Sequence, residues 1–156
     1  MKRGMFILVI AMIGCATANY HGRLFHEIKL EFEGCGPELS FSAIQLSLPK
    51  GHQKDKVVDE YGFCEYRFTY PDGSIHYISS NIYYGSSLNY ENRYKLGIET
   101  YSNNRKENEE IINKGEMMDG IFWMECIQMR YVIGYVNSPN AIPSDAIFKD
   151  IKLIGE

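Results

Sequence analysis

The sequence lacks any apolar run long enough to cross a bilayer as a helix. Its longest run, residues 5–13, has nine residues, whereas a membrane-spanning helix needs about 20. The chain also lacks a basic run, and its formal net charge of −4 argues against nucleic acid or anionic lipid as a partner. We therefore expect neither a membrane-spanning helix nor a nucleic-acid-binding protein.

Cysteine is scarce, and the histidines show no metal-binding pattern. The four cysteines contain no Cys-x-x-C spacing, which argues against a thioredoxin-type redox centre or a zinc ribbon. No two of the four histidines lie at a short metal-ligand spacing. We expect His26, on the apolar side of a predicted strand, to be a packed side chain rather than a ligand. The sequence thus predicts no metal and no cofactor.

Catalytic motifs are also missing. There is no G-x-S-x-G nucleophile elbow and no glycine-rich phosphate loop, the usual signs of a hydrolase or a nucleotide-binding enzyme. The carboxylates that a glycosidase-type pair would use are Glu60, Glu65, Asp119 and Glu125. Any acidic domain of this size offers such pairs, so they identify no active site. We therefore predict no catalytic residue, and we favour a non-enzymatic protein while leaving the question open.

The first 18 residues have the pattern of a secretory signal peptide. Lys2 and Arg3 precede the apolar run, and small residues follow it, as in signal peptides. We expect residues 1–18 to be removed and residues 19–156 to form a single domain, a common domain size. The loss of Lys2 and Arg3 changes the formal charge from −4 to −6.

Two cleavage sites compete at the end of this segment. Met12-Ile13-Gly14-Cys15 resembles a bacterial lipobox, in which Cys15 becomes lipidated and forms the new N-terminus. Ala16-Thr17-Ala18 allows an ordinary signal peptidase to cut after Ala18 instead. The first site predicts a protein anchored by lipid in the bacterial cell envelope, and the second predicts a soluble periplasmic or secreted protein.

Three cysteines remain in the exported chain after cleavage. They are Cys35, Cys64 and Cys126. Export permits a disulfide, and an odd number allows at most one pair within a chain. Cys64 and Cys126 lie in predicted strands and Cys35 lies in a turn, and the sequence is equally compatible with one disulfide and with a buried, unpaired thiol in each strand.

Period-two alternation and turn residues predict strands over most of the chain. The clearest alternation lies in residues 24–33, where apolar and charged residues take turns. Pro71-Asp72-Gly73 is the strongest hairpin signal, because Asp-Gly favours the positive φ angles of tight turns. Further strands are predicted at residues 39–48, 62–70, 74–84, 111–116, 121–128 and 131–137. Residues 51–60 and 102–110 are polar and predict loops.

Two segments have helical spacing. The first covers residues 89–101, with Asn89 as its cap and an apolar side made of Tyr90, Tyr94, Ile98 and Tyr101. The second begins near Ser144 and carries a stripe of Ile147, Phe148, Ile151 and Ile154. The predicted fold class is α+β: a mostly antiparallel sheet of about six or seven strands with two helices packed on it.

One short segment stands out as a candidate binding surface. Trp123 and Glu125 lie two residues apart in a predicted strand, so they point to the same face and offer a site for sugar or peptide. Core packing is the alternative for the Trp123 ring. The 12 tyrosines favour sheet packing over a stacking site.

Several segments resemble small exported bacterial lipoproteins of unknown function. The matching elements are a strand ending in Pro49-Lys50-Gly51, the hairpin of residues 68–73, the helix start of residues 88–92, two late strands at residues 119–125 and 133–137, and the last helix at residues 148–152. The pattern is also distantly similar to the PsbP-like (Mog-type) αβα sandwich. This resemblance implies a binding or accessory protein without catalytic residues.

The sequence therefore predicts a non-enzymatic cell-envelope lipoprotein that acts as a binding or accessory module. Its expected partners are the membrane, through lipid on Cys15, and a protein or small-molecule ligand. A small secreted hydrolase of glycans or peptides is the alternative, together with an inhibitor or immunity protein. A pocket with close carboxylates favours the hydrolase, whereas an exposed acidic or aromatic patch favours binding.

Overall fold

The protein was analysed as a computed structural model that describes residues 24–36, 39–98 and 110–155. Nine β-strands and one α-helix account for most of these residues. The strands are β1 (Phe25–Glu31), β2 (Ala43–Pro49), β3 (Gln53–Val58), β4 (Cys64–Thr69), β5 (Ile75–Ser79), β6 (Ile111–Glu116), β7 (Phe122–Ile127), β8 (Val132–Ser138) and β9 (Lys149–Ile154). The helix, α1, spans Tyr90–Lys95. Short 3₁₀ turns lie at Ser87–Asn89, Met118–Gly120 and Ser144–Ala146.

The strands form two antiparallel sheets that share a core. One sheet has the order β1-β2-β9, and the other has the order β3-β4-β5-β8-β7-β6. Apolar side chains of both sheets meet in one buried cluster, in which Leu30, Ile44 and Leu46 of the small sheet join Phe68, Ile78 and Met124 of the large one. The fold is therefore a β-sandwich built by burying one face of each sheet.

The predicted α+β class is wrong, because the described residues are mostly β and contain a single six-residue α-helix. The αβα layering implied by the family resemblance is likewise not seen in them. In a fold with two helices packed on a sheet, the apolar side of each helix would be buried in the core. Here the second sheet occupies that place, and it covers the face that the helices were expected to cover.

The predicted C-terminal helix is a strand with a bulge. Ser144–Ala146 forms a single 3₁₀ turn, and β9 then pairs with β2 with a register shift opposite Gln45 and Ser47. Asp150 in β9 has a φ of 53°, as expected at a bulge that adds one residue to a strand. This extra residue breaks the period of two and gives the apolar positions the spacing of a helix.

The predicted helix at residues 89–101 is much shorter and buries its other face. A Schellman motif ends α1, because Gly97 adopts a φ of 74° and Ile98 N–H bonds to Arg93 O at 3.0 Å. Tyr90 and Tyr94, predicted to pack inward, are 55% and 60% exposed. The buried side is polar and includes Arg93. Residues 99–101 lie outside the described part of the chain.

Other predicted elements agree better with the structure. The hairpin at Pro71-Asp72-Gly73 is confirmed: Gly73 has a φ of 83° and joins β4 to β5. The three late strands are confirmed as β6, β7 and β8. The predicted loop at residues 51–60 is wrong, since β3 lies there as an exposed edge strand. Its polar sequence suits an edge, where lysines discourage pairing with other chains.

A disulfide links the two sheets. Cys35 follows β1 in the small sheet, and it is bonded to Cys64 at the start of β4 in the large sheet. Cys126 remains a buried free thiol, and burial is the main cause that raises its pKa to about 12. A protonated, buried thiol is unreactive, so the structure places one disulfide and one inert cysteine in the core.

His26, which we expected to be a packed side chain, lies at the edge of the core. His26 is partly buried in β1, and its ring stacks on that of His52 with centroids 5.2 Å apart.

Among the described residues, no group of three or more histidines, cysteines or carboxylates could hold a metal ion. In the same residues, no helix is long and apolar enough to cross a membrane.

Candidate functional site

A row of side chains crosses the outer face of the large sheet, the face turned away from the small sheet. Tyr77 of β5 and Glu125 of β7 both stand opposite Gly134 of β8 in the strand register. A side chain at Gly134 would collide with the Tyr77 hydroxyl. Because Gly134 has none, the Tyr77 hydroxyl reaches across β8 and donates to Glu125 Oε1 at 2.9 Å.

Glu125 is a fully buried carboxylate with several donors. Its side chain is 0% exposed. The Ser86 N–H donates to Oε1 at 2.7 Å, and Arg93 Nη1 donates to Oε2 at 2.7 Å. Arg93 is 2% exposed, so the two form a buried ion pair. Such a pair is stable only when further hydrogen bonds satisfy both groups, and the donors around Glu125 meet this need.

The ion pair fastens one chain segment to the sheet. This covering segment, residues 80–98, contains α1 and lies over the outer face. Arg93 Nη1 donates to Ser86 O at 2.9 Å, and Nη2 donates to Tyr84 O at 2.6 Å. Asn89 adds a second attachment, because its Nδ2 donates to the Tyr77 hydroxyl at 2.7 Å. The covering segment is thus held by these polar groups together with three apolar side chains, Ile82, Leu88 and Ile98, that pack on the outer face of the sheet.

The two residues predicted as a binding surface lie in the interior. Trp123 is 4% exposed and Glu125 is 0% exposed. Both occupy the outer face of β7, as their spacing predicted, since the intervening Met124 belongs to the core between the sheets. The Trp123 ring lies against Gly115, where a Cβ would come within 2.7 Å of its Nε1. The structure therefore gives Glu125 a positioning role and gives Trp123 a packing role.

A cleft opens beside the covering segment. Its volume is about 370 Å³, within the lower range of small-molecule sites. One wall comes from residues 57–67 and the other from residues 79–93. The side chains that matter most for its chemistry are Asp59, Glu60, Tyr61, Glu65, Arg67 and Tyr84.

Glu65 and Arg67 are paired in the floor of the cleft. They lie two residues apart on β4, and Arg67 Nε donates to Glu65 Oε1 at 2.7 Å. Arg67 Nη2 also donates to Ser87 Oγ at 2.9 Å, which connects the floor to the covering segment. Glu65 is 7% exposed, and its burial raises the pKa of its carboxyl above the usual value, with Arg67 opposing this.

Asp59 fixes the loop on the opposite wall. Its Oδ1 accepts hydrogen bonds from the N–H groups of Tyr61 and Phe63, each at 2.9 Å. Its Oδ2 accepts from Asn81 Nδ2 at 3.0 Å. The loop and the covering segment are therefore joined through one carboxylate.

Tyrosine rings form the mouth of the cleft. Tyr61 and Tyr84 are 64% and 49% exposed, and their rings stack with centroids 6.1 Å apart and planes inclined by 25°. Tyr90 also lines the cleft. Exposed tyrosine rings offer a ligand an apolar face and a hydroxyl group at the same place.

Sequence reasoning missed this site. It treated the tyrosines as one group, and for Tyr66, Tyr70, Tyr77 and Tyr135 the expected packing inside the sheets is confirmed. A usable signal was present at Tyr61, which lies between the predicted loop and the next predicted strand. Tyr83 and Tyr84 gave no such signal, because they fall in the strand predicted at residues 74–84, whereas β5 ends at Ser79 and both tyrosines lie in a turn. Glu65 was considered only as one of several unspecific carboxylates. The predicted signal peptide and the predicted lipidation site Cys15 lie outside the described residues.

Comparison of the chain with protein-family models, with curated proteins and with solved structures found no match.

Proposed function

We propose that this protein is an exported, non-enzymatic binding module of the bacterial cell envelope, held at the membrane by lipid on Cys15. The observation that carries the proposal is the cleft of about 370 Å³ with a tyrosine mouth and a polar floor. A concave site with aromatic walls and a few fixed polar groups is the usual form of a small-ligand site.

The polar groups of the cleft support binding because they are held in place. Glu65 is bonded to Arg67, Asp59 holds its own loop, and Arg93 is paired with Glu125. A site whose side chains are already ordered loses little entropy when a ligand enters. The walls are thus preorganised without a ligand.

The chain's start and its disulfide support export. The basic residues, the apolar run and Gly14-Cys15 form a signal segment with a lipobox-like end. The bond between Cys35 and Cys64 is of a kind that persists in oxidising compartments and is rare in the cytosol. More than one acyl chain on Cys15 would anchor the protein firmly, since each buried CH₂ contributes about 0.8 kcal/mol.

Intact mass spectrometry tests the anchor. For protein purified from bacterial membranes, we expect a mass that begins at Cys15 and includes acyl chains. The Cys15→Ser variant should lack the acyl chains and should leave the membrane fraction. An unmodified mass that begins at Asn19 in the wild-type protein would contradict the lipid anchor and would leave a soluble exported module.

Ligand-observed NMR tests the binding function. We expect the purified protein to bind at least one class in a panel of small neutral sugars, short peptides and alkylammonium salts. The Ser87→Trp variant should lose this binding, because Ser87 is exposed at the cleft wall and an indole there fills the space. Binding of no class, or equal binding by the variant, would contradict a ligand site in this cleft.

One observation favours a hydrolase as the second candidate. Glu65 is a buried carboxyl in the cleft with a raised pKa, and general acids of glycosidases have this property. The same NMR spectra separate the two functions, because a hydrolase releases new product signals from the sugars or peptides over time. A binding module leaves these compounds intact.

A further inference from the structure

The described residues that line the cleft include more carboxylates than cations. Arg67 is bonded to Glu65, and Arg93 is bonded to the fully buried Glu125, so both cations have a counter-charge. Asp59 and Glu60 also line the cleft. Among the ion pairs between described residues, none includes either of these carboxylates. Within the described part of the chain, the cleft therefore carries two carboxylates that have no ion-pair partner.

These charges lie beside the exposed rings. Glu60 precedes Tyr61 in the chain, and its negative charge is the main cause that raises the pKa of the Tyr61 hydroxyl. Tyr61 in turn stacks on Tyr84. The Glu60 carboxylate and the rings of Tyr61 and Tyr84 thus line the same cleft.

This combination selects among ligand charges. An anion would be repelled by Asp59 and Glu60, and a purely apolar ligand would leave these carboxylates and the Glu65–Arg67 pair desolvated. An organic cation gains from both features, since aromatic faces attract ammonium groups and carboxylates attract their charge. A bulky alkylated ammonium also loses less hydration than a small ion when it enters a site that is partly lined by tyrosine rings.

We propose that the cleft binds an alkylated ammonium group, which lies against Tyr61 and Tyr84 and is paired with Glu60. This inference rests on the proposed function and names the ligand class of the same site. The ammonium could belong to a free small molecule or to a lipid headgroup, and both present the same chemistry to the cleft.

Calorimetric titration with choline chloride tests the proposal. The matched probe is 3,3-dimethylbutan-1-ol, which has nearly the same shape but no charge. We expect choline to bind about tenfold more tightly than this alcohol, and we expect added salt to weaken choline binding alone. Equal affinities for the two probes would overturn the proposal.

Four variants test whether choline contacts Glu60 and Tyr84. Glu60→Gln and Tyr84→Ala should each weaken choline binding about fivefold or more. Glu91→Gln and Tyr94→Ala are the matched controls, since both are exposed residues of α1 that do not line the cleft, and they should leave binding unchanged. Unchanged binding in Glu60→Gln would overturn the assigned partner. Circular dichroism of each variant verifies that the fold is kept.

Vesicles separate the two sources of the ammonium group. Co-sedimentation of a Cys15→Ser protein with phosphatidylcholine vesicles, but not with phosphatidylglycerol vesicles, assigns a lipid headgroup. Choline binding without co-sedimentation assigns a free ligand. If sugars or peptides bind in the cleft and choline does not, only this inference fails. If none of the probes binds there, the proposed function fails with it.

Discussion

Replacing Arg93 with methionine should lower the free energy of unfolding by about 3–5 kcal/mol, the usual loss when one partner of a buried ion pair is removed. Glu125, which is 0% exposed, would lose its buried counter-charge. The bonds from Arg93 to Ser86 O and Tyr84 O would also be lost. Because these bonds hold the covering segment, the cleft should lose its shape along with the stability.

Urea denaturation measures this effect, and an exposed ion pair provides the control. Lys29 and Glu31 are 2.8 Å apart with side chains 53% and 61% exposed. Lys29→Met should therefore change stability by less than about 1 kcal/mol. The double variant Arg93→Met/Glu125→Leu should recover part of the loss, since it leaves no buried charge. A loss below about 1 kcal/mol in Arg93→Met would contradict the role given to this pair.

Removing the disulfide should have the second largest effect. Cys35 and Cys64 are separated by 29 positions, and closing a loop of that length restricts the unfolded chain by about 3–4 kcal/mol at 25 °C. The Cys35→Ser/Cys64→Ser variant should unfold at correspondingly lower urea. The bond also joins the end of β1 to the start of β4, so its loss should loosen the contact between the two sheets.

A reducing agent gives an independent control for this prediction. It should lower the stability of the wild-type protein to that of the double serine variant, and it should leave the variant unchanged. Cys126 is buried and protonated in both proteins, so it contributes nothing to the difference. Equal stability of the oxidised and reduced wild-type protein would show that the bond does not support the fold.

Local pattern predicted the strands well where the pairing is regular. The alternation of residues 24–33 produced β1, with Leu30 buried and Glu31 exposed. The Asp72-Gly73 turn placed the β4–β5 hairpin. These signals succeed because side chains on a pleated strand alternate between faces and because few residues tolerate a positive φ.

The two predicted helices failed because tertiary contacts overrode local spacing. In β9, the bulge at Asp150 adds one residue, so the apolar residues have a spacing similar to that of a helix. This bulge arises from the pairing of β9 with β2, which lies far away in the chain. In α1, the buried face carries Arg93 and Asn92, whereas the tyrosines point outward. A polar face can be buried there only because Glu125, 32 positions away, supplies the counter-charge.

The sequence by itself determined the acidic charge and most strands, and it predicted an export signal and a limit of one disulfide among the three cysteines left by the predicted cleavage. The tertiary structure alone decided the sandwich of two sheets, the choice of Cys35 and Cys64, and the cleft. The cleft joins residues 57–67 to residues 79–93 and depends on Glu125 behind its wall. Periodicity describes only residues that are close in the chain. This site instead depends on contacts between distant segments, which bury the Arg93–Glu125 ion pair and leave Tyr61 and Tyr84 exposed to solvent.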